Sequence, residues 1–180
     1  MSNKVFIGII VILLSSCSLD YEGANLAESL EDDIPNSELD NFKQTVIEQG
    51  QIRFSIEAQK AKIFTEKTKS LLYEAQFNEF EDGQQITHGQ SDYIMYDDQK
   101  RDANLKGNII IDSLKEATAI KADELNWNEE KQTLAGTSEG LVRVEQQEGS
   151  LMYGTGFEVN LKYNFIRFNH FIKGQYASEN

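Results

Sequence analysis

Few side chains in this sequence have the types and spacing that covalent chemistry requires. The chain has a single Cys, Cys17, and two His, His88 and His170, which lie far apart in sequence. One Cys provides neither an internal disulfide framework nor a multi-cysteine metal site. The segment Gly136-Thr-Ser-Glu-Gly140 matches Gly-x-Ser-x-Gly, but we expect it to be a loop between strands and not a nucleophile turn. No His-Glu-x-x-His or Walker A pattern occurs. The sequence therefore predicts a protein that is not an enzyme, needs no cofactor or metal, and takes any energy from another subunit.

Cys17 lies where a lipid is attached to exported bacterial proteins. Residues 1–16 combine a Lys near the start with the apolar run Val5–Leu14 and two Ser, which is typical of a secretory signal peptide. That run is about half of the roughly 20 apolar residues that span a bilayer. Leu14-Ser15-Ser16-Cys17 resembles a lipobox, which predicts that Cys17 becomes the first mature residue and carries diacylglycerol. The alternative is an ordinary signal peptide with an incidental Cys.

Residues 17–43 are predicted to form an acidic, flexible tether. Eight carboxylates and the only Pro, Pro35, lie between Ser18 and Phe42, without any Lys or Arg. Such a segment repels itself and buries little apolar surface. A short amphipathic helix around Leu26–Leu30 is the alternative. The folded domain is expected to be 44–180.

The charge of the chain excludes one large class of partners. Asp and Glu number 30 against 17 Lys and Arg, a formal net charge of −13. This balance repels a phosphate backbone and provides no basic stripe. We expect no nucleic-acid partner.

From about Thr45 the hydrophobic pattern has a period of two. Apolar and polar residues alternate in Ile52–Ala58, Val142–Glu145 and Phe157–Tyr163. Such alternation predicts half-buried antiparallel strands. Helical spacing occurs near Gln59–Lys69, which could equally be a strand.

A motif recurs in which an aromatic residue is followed by a polar turn and a basic residue. Its copies begin at Phe64, Tyr96 and Trp127, with spacings of 32 and 31 residues. The spacing predicts a strand-turn-strand repeat of about 31 residues. One such hairpin does not bury its apolar face alone, so neighbouring hairpins must stack. We expect an all-β fold of two facing antiparallel sheets, open at both ends, with free edges.

An ordered series of short motifs resembles the LptC family over residues 45–172. The series comprises Gly50-x₇-Ala58, Ala61-x-Ile63-Phe64, Tyr96-Asp97, Leu105-x-Gly107-Asn108-Ile109, Leu125-x-Trp127-Asn128, Leu134 and Gly154-x-Gly156-Phe157. The resemblance implies a twisted, open antiparallel β-jellyroll whose apolar groove carries lipopolysaccharide. It implies that an inner-membrane ABC transporter of the LptB, LptF and LptG type delivers the lipid and that an LptA-type periplasmic bridge receives it.

The resemblance also bears on location. It implies a periplasmic, membrane-anchored protein, but many family members keep an uncleaved N-terminal helix where this chain has Cys17. Ser18, and not Asp, follows Cys17. We expect an anchor in the inner membrane, with the outer membrane as the open alternative.

Inward-facing residues of the strands are the candidates for the lipid groove. They are Ile52, Phe54, Ile56, Ile94, Tyr96, Ile109, Ile111, Leu125, Trp127, Val142, Val144, Phe157 and Val159. Any β-sandwich uses such residues as its core, so each one is equally a candidate core residue. Among the basic residues, Lys60, Lys62, Lys67 and Lys69 form a cluster that could meet a lipid headgroup or simply keep a turn solvated.

The strand edges are the candidate partner surfaces, because unpaired backbone groups can extend a sheet into another chain. The resemblance implies that Gln51–Ala58 faces the transporter and that the C-terminal edge faces the bridge. The C-terminal candidates are Phe165, Ile166, Phe168, Phe171 and Ile172, which could equally form a closing strand packed on the core.

Other functions remain compatible with this pattern. One is a surface lipoprotein whose closed sandwich binds proteins, which would have a fully packed interior. Another is the soluble bridge subunit, against which the lipobox argues. Transport of a different lipid is a third.

Overall fold

The computed structural model describes residues 34–163 and 165–175, and ten strands in this part form one antiparallel sheet. The strands are β1 Ser37–Glu48, β2 Gln51–Phe64, β3 Lys69–Glu81, β4 Gln84–Asp97, β5 Asp102–Ser113, β6 Thr118–Asn128, β7 Thr133–Gly136, β8 Leu141–Gln146, β9 Leu151–Asn160 and β10 Phe165–Gln175. A 3-10 turn at Thr65–Lys67 is the only helical element in these residues. The prediction of an all-β fold is confirmed, and the ambiguous segment Gln59–Lys69 is a strand followed by this turn.

The strands follow one another across the sheet in chain order. The order is β1-β2-β3-β4-β5-β6-β7-β9-β10, and β8 also lies between β6 and β9. The short strands β7 and β8 therefore occupy two halves of a single position, separated by the loop 137–140. Among the described strands, the two edges of the sheet are β1 and β10.

Strand pairing is interrupted at one common level across the sheet. Between β1 and β2, for example, Asp40 pairs with Lys60 and Phe42 with Ala58, whereas Asn41 and Gln59 are left unpaired. Several residues at this level have positive φ, including Asn41 at 53° and Glu74 at 49°. We call this level the bulge row, formed by Asn41, Gln59, Glu74, Asp92, Gly107–Asn108, Asp123, Thr137–Gly140, Gly156 and Asn169.

The bulge row reverses the alternation of side chains in each strand. In β2, buried Ala58 is followed by exposed Gln59 and Lys60, and the next buried residue is Ala61. In β6, Leu125 belongs to the core and Ala122 packs against it, although the two residues are three positions apart. Two consecutive residues therefore face outward where the strand bends, and the inner face continues beyond the bend.

The bend allows the sheet to cover its own apolar face. Apart from the 3-10 turn, the described residues contain no other layer, yet Ala61, Leu125 and Val142 are fully buried. We call half A the strand segments that end in the turns 49–50, 82–83, 114–117 and 147–150. Half B comprises the segments that end in the turns 65–68, 98–101, 129–132 and 161–163. A single core cluster contains residues of both halves. The predicted open jellyroll is confirmed, and its two facing sheets are halves A and B of one continuous sheet.

The predicted repeat corresponds to one hairpin of this sheet. The three aromatic-turn-basic motifs lie at the turns β2–β3, β4–β5 and β6–β7, all in half B. Two antiparallel strands and their turns account for the spacing of 31 to 32 residues. The repeat therefore places equivalent residues side by side along one end of the sheet.

The N-terminal boundary of the domain differs from the expected one. The sequence suggests a tether through residue 43 and a domain from 44, whereas β1 begins at Ser37. In this edge strand Phe42 is the only residue that is not exposed, so the strand shows no alternating pattern. Residues 1–33, with the signal peptide, Cys17 and Leu26–Leu30, lie outside the described residues.

The contribution of the bulge row to the stability of the fold can be tested by a substitution at Gly107. Gly107 and Gly83 have the same φ of 76°, but a Cβ on Gly107 would meet Asp92, whereas nothing lies within 4 Å of one on Gly83. The left-handed conformation costs about 1–2 kcal/mol for a non-Gly residue. We expect Gly107→Ala to lower the free energy of unfolding more than Gly83→Ala, as measured by urea denaturation. Equal losses would show that the fold does not depend on close packing at the bulge row.

Candidate functional site

The inner face of the sheet changes from fully buried to half-exposed with distance from the bulge row. Residues next to the row are tightly packed, as Ala61, Leu125 and Phe157 show with at most 1% exposure. One step further towards the turns, Ile56, Ile111 and Trp127 are only half-buried. We call the first set the floor and the second set the mouth. An apolar surface with a packed floor and a partly exposed mouth is the candidate site.

The predicted groove residues all occupy inner-face positions in the strand register. Six are fully buried in the core, namely Ile94, Ile109, Leu125, Val142, Val144 and Phe157. Six are half-buried, namely Phe54, Ile56, Tyr96, Ile111, Trp127 and Val159. Ile52 is 44% exposed at the rim of half A. The candidate residues thus share one face, and the half-buried six are the ones that a ligand in the mouth could contact.

The sequence interpretation missed several residues of the same face. Ile63, Phe77, Ile120 and Met152 are half-buried and pack against the core, and Leu72 and Leu105 are part of it. A strict period of two assigns Leu72 and Ala75 of β3 to opposite faces, although both are buried in the core. A search for a three-residue step within each alternating run would have found them.

Aromatic rings form the mouth in half A. Phe54 and Phe77 stack with their ring centroids 6.1 Å apart. Gly89 pairs with Phe77 across β3 and β4, and a Cβ at Gly89 would collide with the Phe77 ring. The missing side chain at Gly89 therefore leaves room for this ring to lie flat against β4.

A polar network holds the aromatic residues of the mouth in half B. The Trp127 indole Nε1–H donates to Glu129 Oε2 at 3.1 Å, and Arg101 contacts Glu129 Oε1 at 3.3 Å. Burial raises the pKa of Tyr96, although a hydrogen bond with Arg101 acts in the opposite direction. One carboxylate thus joins two neighbouring turns and orients the polar edge of Trp127 away from the core.

The predicted lysine cluster does not form a single patch. Lys60 lies 3.4 Å from Glu38, and Lys62 lies over the Tyr73 ring, so both face outward on β2. Lys67 is in the 3-10 turn and Lys69 begins β3 at the end of half B. Lys67 and Lys69 therefore lie at and just after the turn between β2 and β3, at the end of half B.

The edges agree in part with the expected partner surfaces. On β10, Phe165 and Ile166 are 38% and 45% exposed, whereas the Phe168 ring packs 5.3 Å from that of Phe157. β10 is therefore both a free edge and a strand closing the core. The side chains of Phe171 and Ile172 lie outside the described part. At the other end, β1 covers Gln51–Ala58, so the free N-terminal edge is β1 and the expectation for β2 was wrong.

Two further properties concern membranes and metals. Within residues 34–163 and 165–175, no helix is long and apolar enough to cross a bilayer. The same part of the chain contains no group of three or more His, Cys, Asp or Glu arranged to hold a metal ion.

Comparison with known proteins identifies the family. The chain matches the family model described as "Lipopolysaccharide-assembly, LptC-related" over residues 5–177. Among solved structures, it resembles LptH of Pseudomonas aeruginosa, described as the LptA-homologous periplasmic component of the conserved lipopolysaccharide transport device. The TM-score is 0.52 at 10% identity, over 65% of this chain and 82% of LptH. No curated protein gives a significant sequence match.

The fold and the matched family define a class of protein. It has an LptA-like β-jellyroll and takes part in lipopolysaccharide assembly. Its family is a family of transport components and not a known enzyme family. The chain belongs to the LptC-related family.

The network at Glu129 generates a prediction for the single tryptophan. Glu129→Leu removes the acceptor of the Trp127 indole and the partner of Arg101, so we expect a red-shifted emission and stronger quenching by acrylamide. Glu129→Gln keeps an acceptor and should remain close to wild type. Glu130→Leu, at the exposed neighbouring position, is the control. Identical spectra for all variants would contradict a role of Glu129 in orienting Trp127.

Proposed function

We propose that this chain is a membrane-anchored periplasmic component of lipopolysaccharide export. It receives lipopolysaccharide from an inner-membrane ABC transporter of the LptB, LptF and LptG type and passes it to an LptA-type bridge protein. The observation that carries the proposal is the inner face of the sheet, where a packed floor borders a mouth of half-buried apolar side chains. Membership of the LptC-related family supports it.

The mouth has the chemistry that acyl chains need. Each Å² of apolar surface that a bound ligand removes from water contributes about 25 cal/mol to the free energy of binding. Phe77, Ile111 and Trp127 keep part of their apolar surface exposed without a ligand, and acyl chains between halves A and B would cover it. The headgroup would stay in water, which accommodates an anionic lipid on a chain of net charge −13.

The free edges fit a chain of similar jellyrolls. Within the part of the chain that the structure describes, β1 and β10 each have one unpaired side, and backbone groups on such edges can continue the ladder into a partner. In this proposal β1 faces the transporter and β10 faces the bridge. The lipid would then remain between apolar sheets as it moves from one protein to the next.

A lipid on Cys17 would hold the jellyroll at the membrane surface. Acyl chains bind a bilayer with about 0.8 kcal/mol per buried CH₂, so several chains give durable attachment. We favour the inner membrane, because the transporter that supplies the lipid lies there in this proposal.

The fully packed floor favours a second candidate function. Val142 and Val144 are completely buried, as expected for a closed sandwich that binds proteins through its edges. The two functions differ in what enters the mouth, and a crosslinking experiment separates them.

Photo-crosslinking in cells tests the lipid route. A photoreactive residue at Trp127 or Ile111 should give a covalent lipopolysaccharide adduct that disappears when ATP is depleted. Met95 is the control, since it is apolar and half-buried but is not among the residues that pack against the core of the inner face. Absence of adducts at both mouth positions in a correctly exported, folded protein would favour the closed binding module.

The anchor is tested by Cys17→Ser. We expect this variant to lose metabolically incorporated palmitate and to move from the membrane to the soluble periplasmic fraction if its signal is still cleaved. Ser16→Ala keeps Cys17 and serves as the control for signal recognition. Palmitate labelling that persists in Cys17→Ser would show that the lipid is attached elsewhere.

A further inference from the structure

Gly89 is a glycine that the backbone of β4 does not require. It lies inside the strand, it is buried, and it is not among the residues with positive φ. A glycine at such a position loses more conformational freedom on folding than any other residue, and it has no side chain to pack, so it weakens a strand. The reason for this glycine therefore lies in the space around its missing side chain.

The ring of Phe77 occupies that space. A Cβ at Gly89 would overlap Cζ, Cε1 and Cε2, the three carbons at the far end of the Phe77 ring. Phe77 and Gly89 pair directly across β3 and β4. The ring thus reaches from its own strand to the next one and lies along the surface of the sheet, instead of standing upright on it.

The neighbours of this pair offer the ring no other place on the sheet. In the inner row, Ile56 of β2 pairs with Phe77, and Ile111 of β5 pairs with Gly89. Both isoleucines pack against the core, and their branched Cβ atoms make them stiff. The Phe54 ring stacks on that of Phe77, with centroids 6.1 Å apart. From β2 to β5, Gly89 is thus the member of this row that leaves room for a ring.

The direction of the ring matters because the inner faces of halves A and B face each other. Both halves contribute to one core cluster, against which Phe77 packs while it stays half-buried at the mouth. Facing sheets lie about 10 Å apart, and side chains from both sheets normally fill this distance. A ring that lies along one sheet leaves part of the distance open, whereas an upright ring would close it.

We propose that Gly89 sets the width of the groove in half A, because it lets the Phe77 ring lie along the sheet and so keeps the mouth open for acyl chains. This inference rests on the proposed function and adds the residue that determines the width of the site. The rings of Phe54 and Phe77 then provide a surface on which acyl chains pack. Any side chain at position 89 would turn the Phe77 ring into the groove.

The test uses four variants of the full-length chain. Gly89→Ala adds the Cβ that displaces the ring, Phe77→Ala removes the ring, and the double variant carries the Cβ with no ring to displace. Gly136→Ala is the control, since Gly136 also lacks a positive φ and a Cβ there would meet Val142 at 2.9 Å, in the packed floor. Trp127 fluorescence reports binding of lipopolysaccharide, and urea denaturation reports the stability of each variant.

We expect Gly89→Ala to weaken binding about tenfold, which is the effect of one methylene group on the fit of a ligand in a hydrophobic pocket. Phe77→Ala and the double variant should bind with similar affinity, because the added Cβ then displaces nothing. Gly136→Ala should lose stability but keep the affinity of wild type.

Two results of this comparison would overturn the inference and leave the proposed function intact. One is a Gly89→Ala variant that binds like wild type. The other is a double variant that binds about tenfold more weakly than Phe77→Ala, since the Cβ would then act without the ring. Failure of wild type to bind lipopolysaccharide would instead contradict the proposed function.

NMR locates the ring directly and needs only the wild-type chain. The Phe77 ring protons should give NOEs to the Hα protons of Gly89, both without lipid and with bound lipopolysaccharide. Loss of these NOEs on binding would show that the ring leaves the sheet in the lipid-bound state, and would overturn the inference. In the Gly89→Ala variant the Phe77 ring should no longer give NOEs to the residue at position 89, and their persistence would equally overturn it.

Discussion

The fold depends on one constraint: a single sheet must bury its apolar face without a second layer among the described residues. Strand pairing alone would leave that face exposed, at a free-energy cost of about 25 cal/mol for each Å² of apolar surface in contact with water. The bulge row resolves this by bending every strand at the same level and by shifting the alternation by one residue. Both halves thereby direct apolar residues towards one core. Because each strand is bent, the row must cross the whole sheet, and its side chains are mostly polar and exposed.

The same constraint produces the candidate site. Packing is tightest at the bend, where halves A and B are covalently continuous, and loosens towards the turns. Leu125 and Phe157 near the bend are inaccessible, whereas Trp127 and Val159, two residues further along the same strands, are half-buried. Sites for apolar ligands need such partly open surface next to a rigid, packed one. A mouth therefore follows from folding a sheet onto itself, without a dedicated loop.

The sequence predicted much of this architecture, since strand alternation and hairpin repetition are local signals. The 31-residue motif located three of the four turns of half B, and alternation placed residues such as Ile56 and Val144 on the inner face. Local signals failed in two places. In β1 a single half-buried residue, Phe42, leaves no alternation to detect, so the strand resembled a tether. The bulge row depends on alignment across nine strand positions, which no single strand reveals.

The lipid transfer proposed for this groove would limit how its ends can be built. An acyl chain gains about 0.8 kcal/mol per buried CH₂, so exposing a chain of a dozen carbons to water between two proteins would cost roughly 10 kcal/mol. A step of that size would stop transfer, because the chain contains no nucleotide-binding motif that could drive it. The apolar surface must therefore continue across each junction. Open edges at β1 and β10 permit this, since pairing between strands extends both the sheet and its inner face. For the proposed transport, β1 and β10, which are edge strands among the described residues, are therefore as necessary as the apolar mouth.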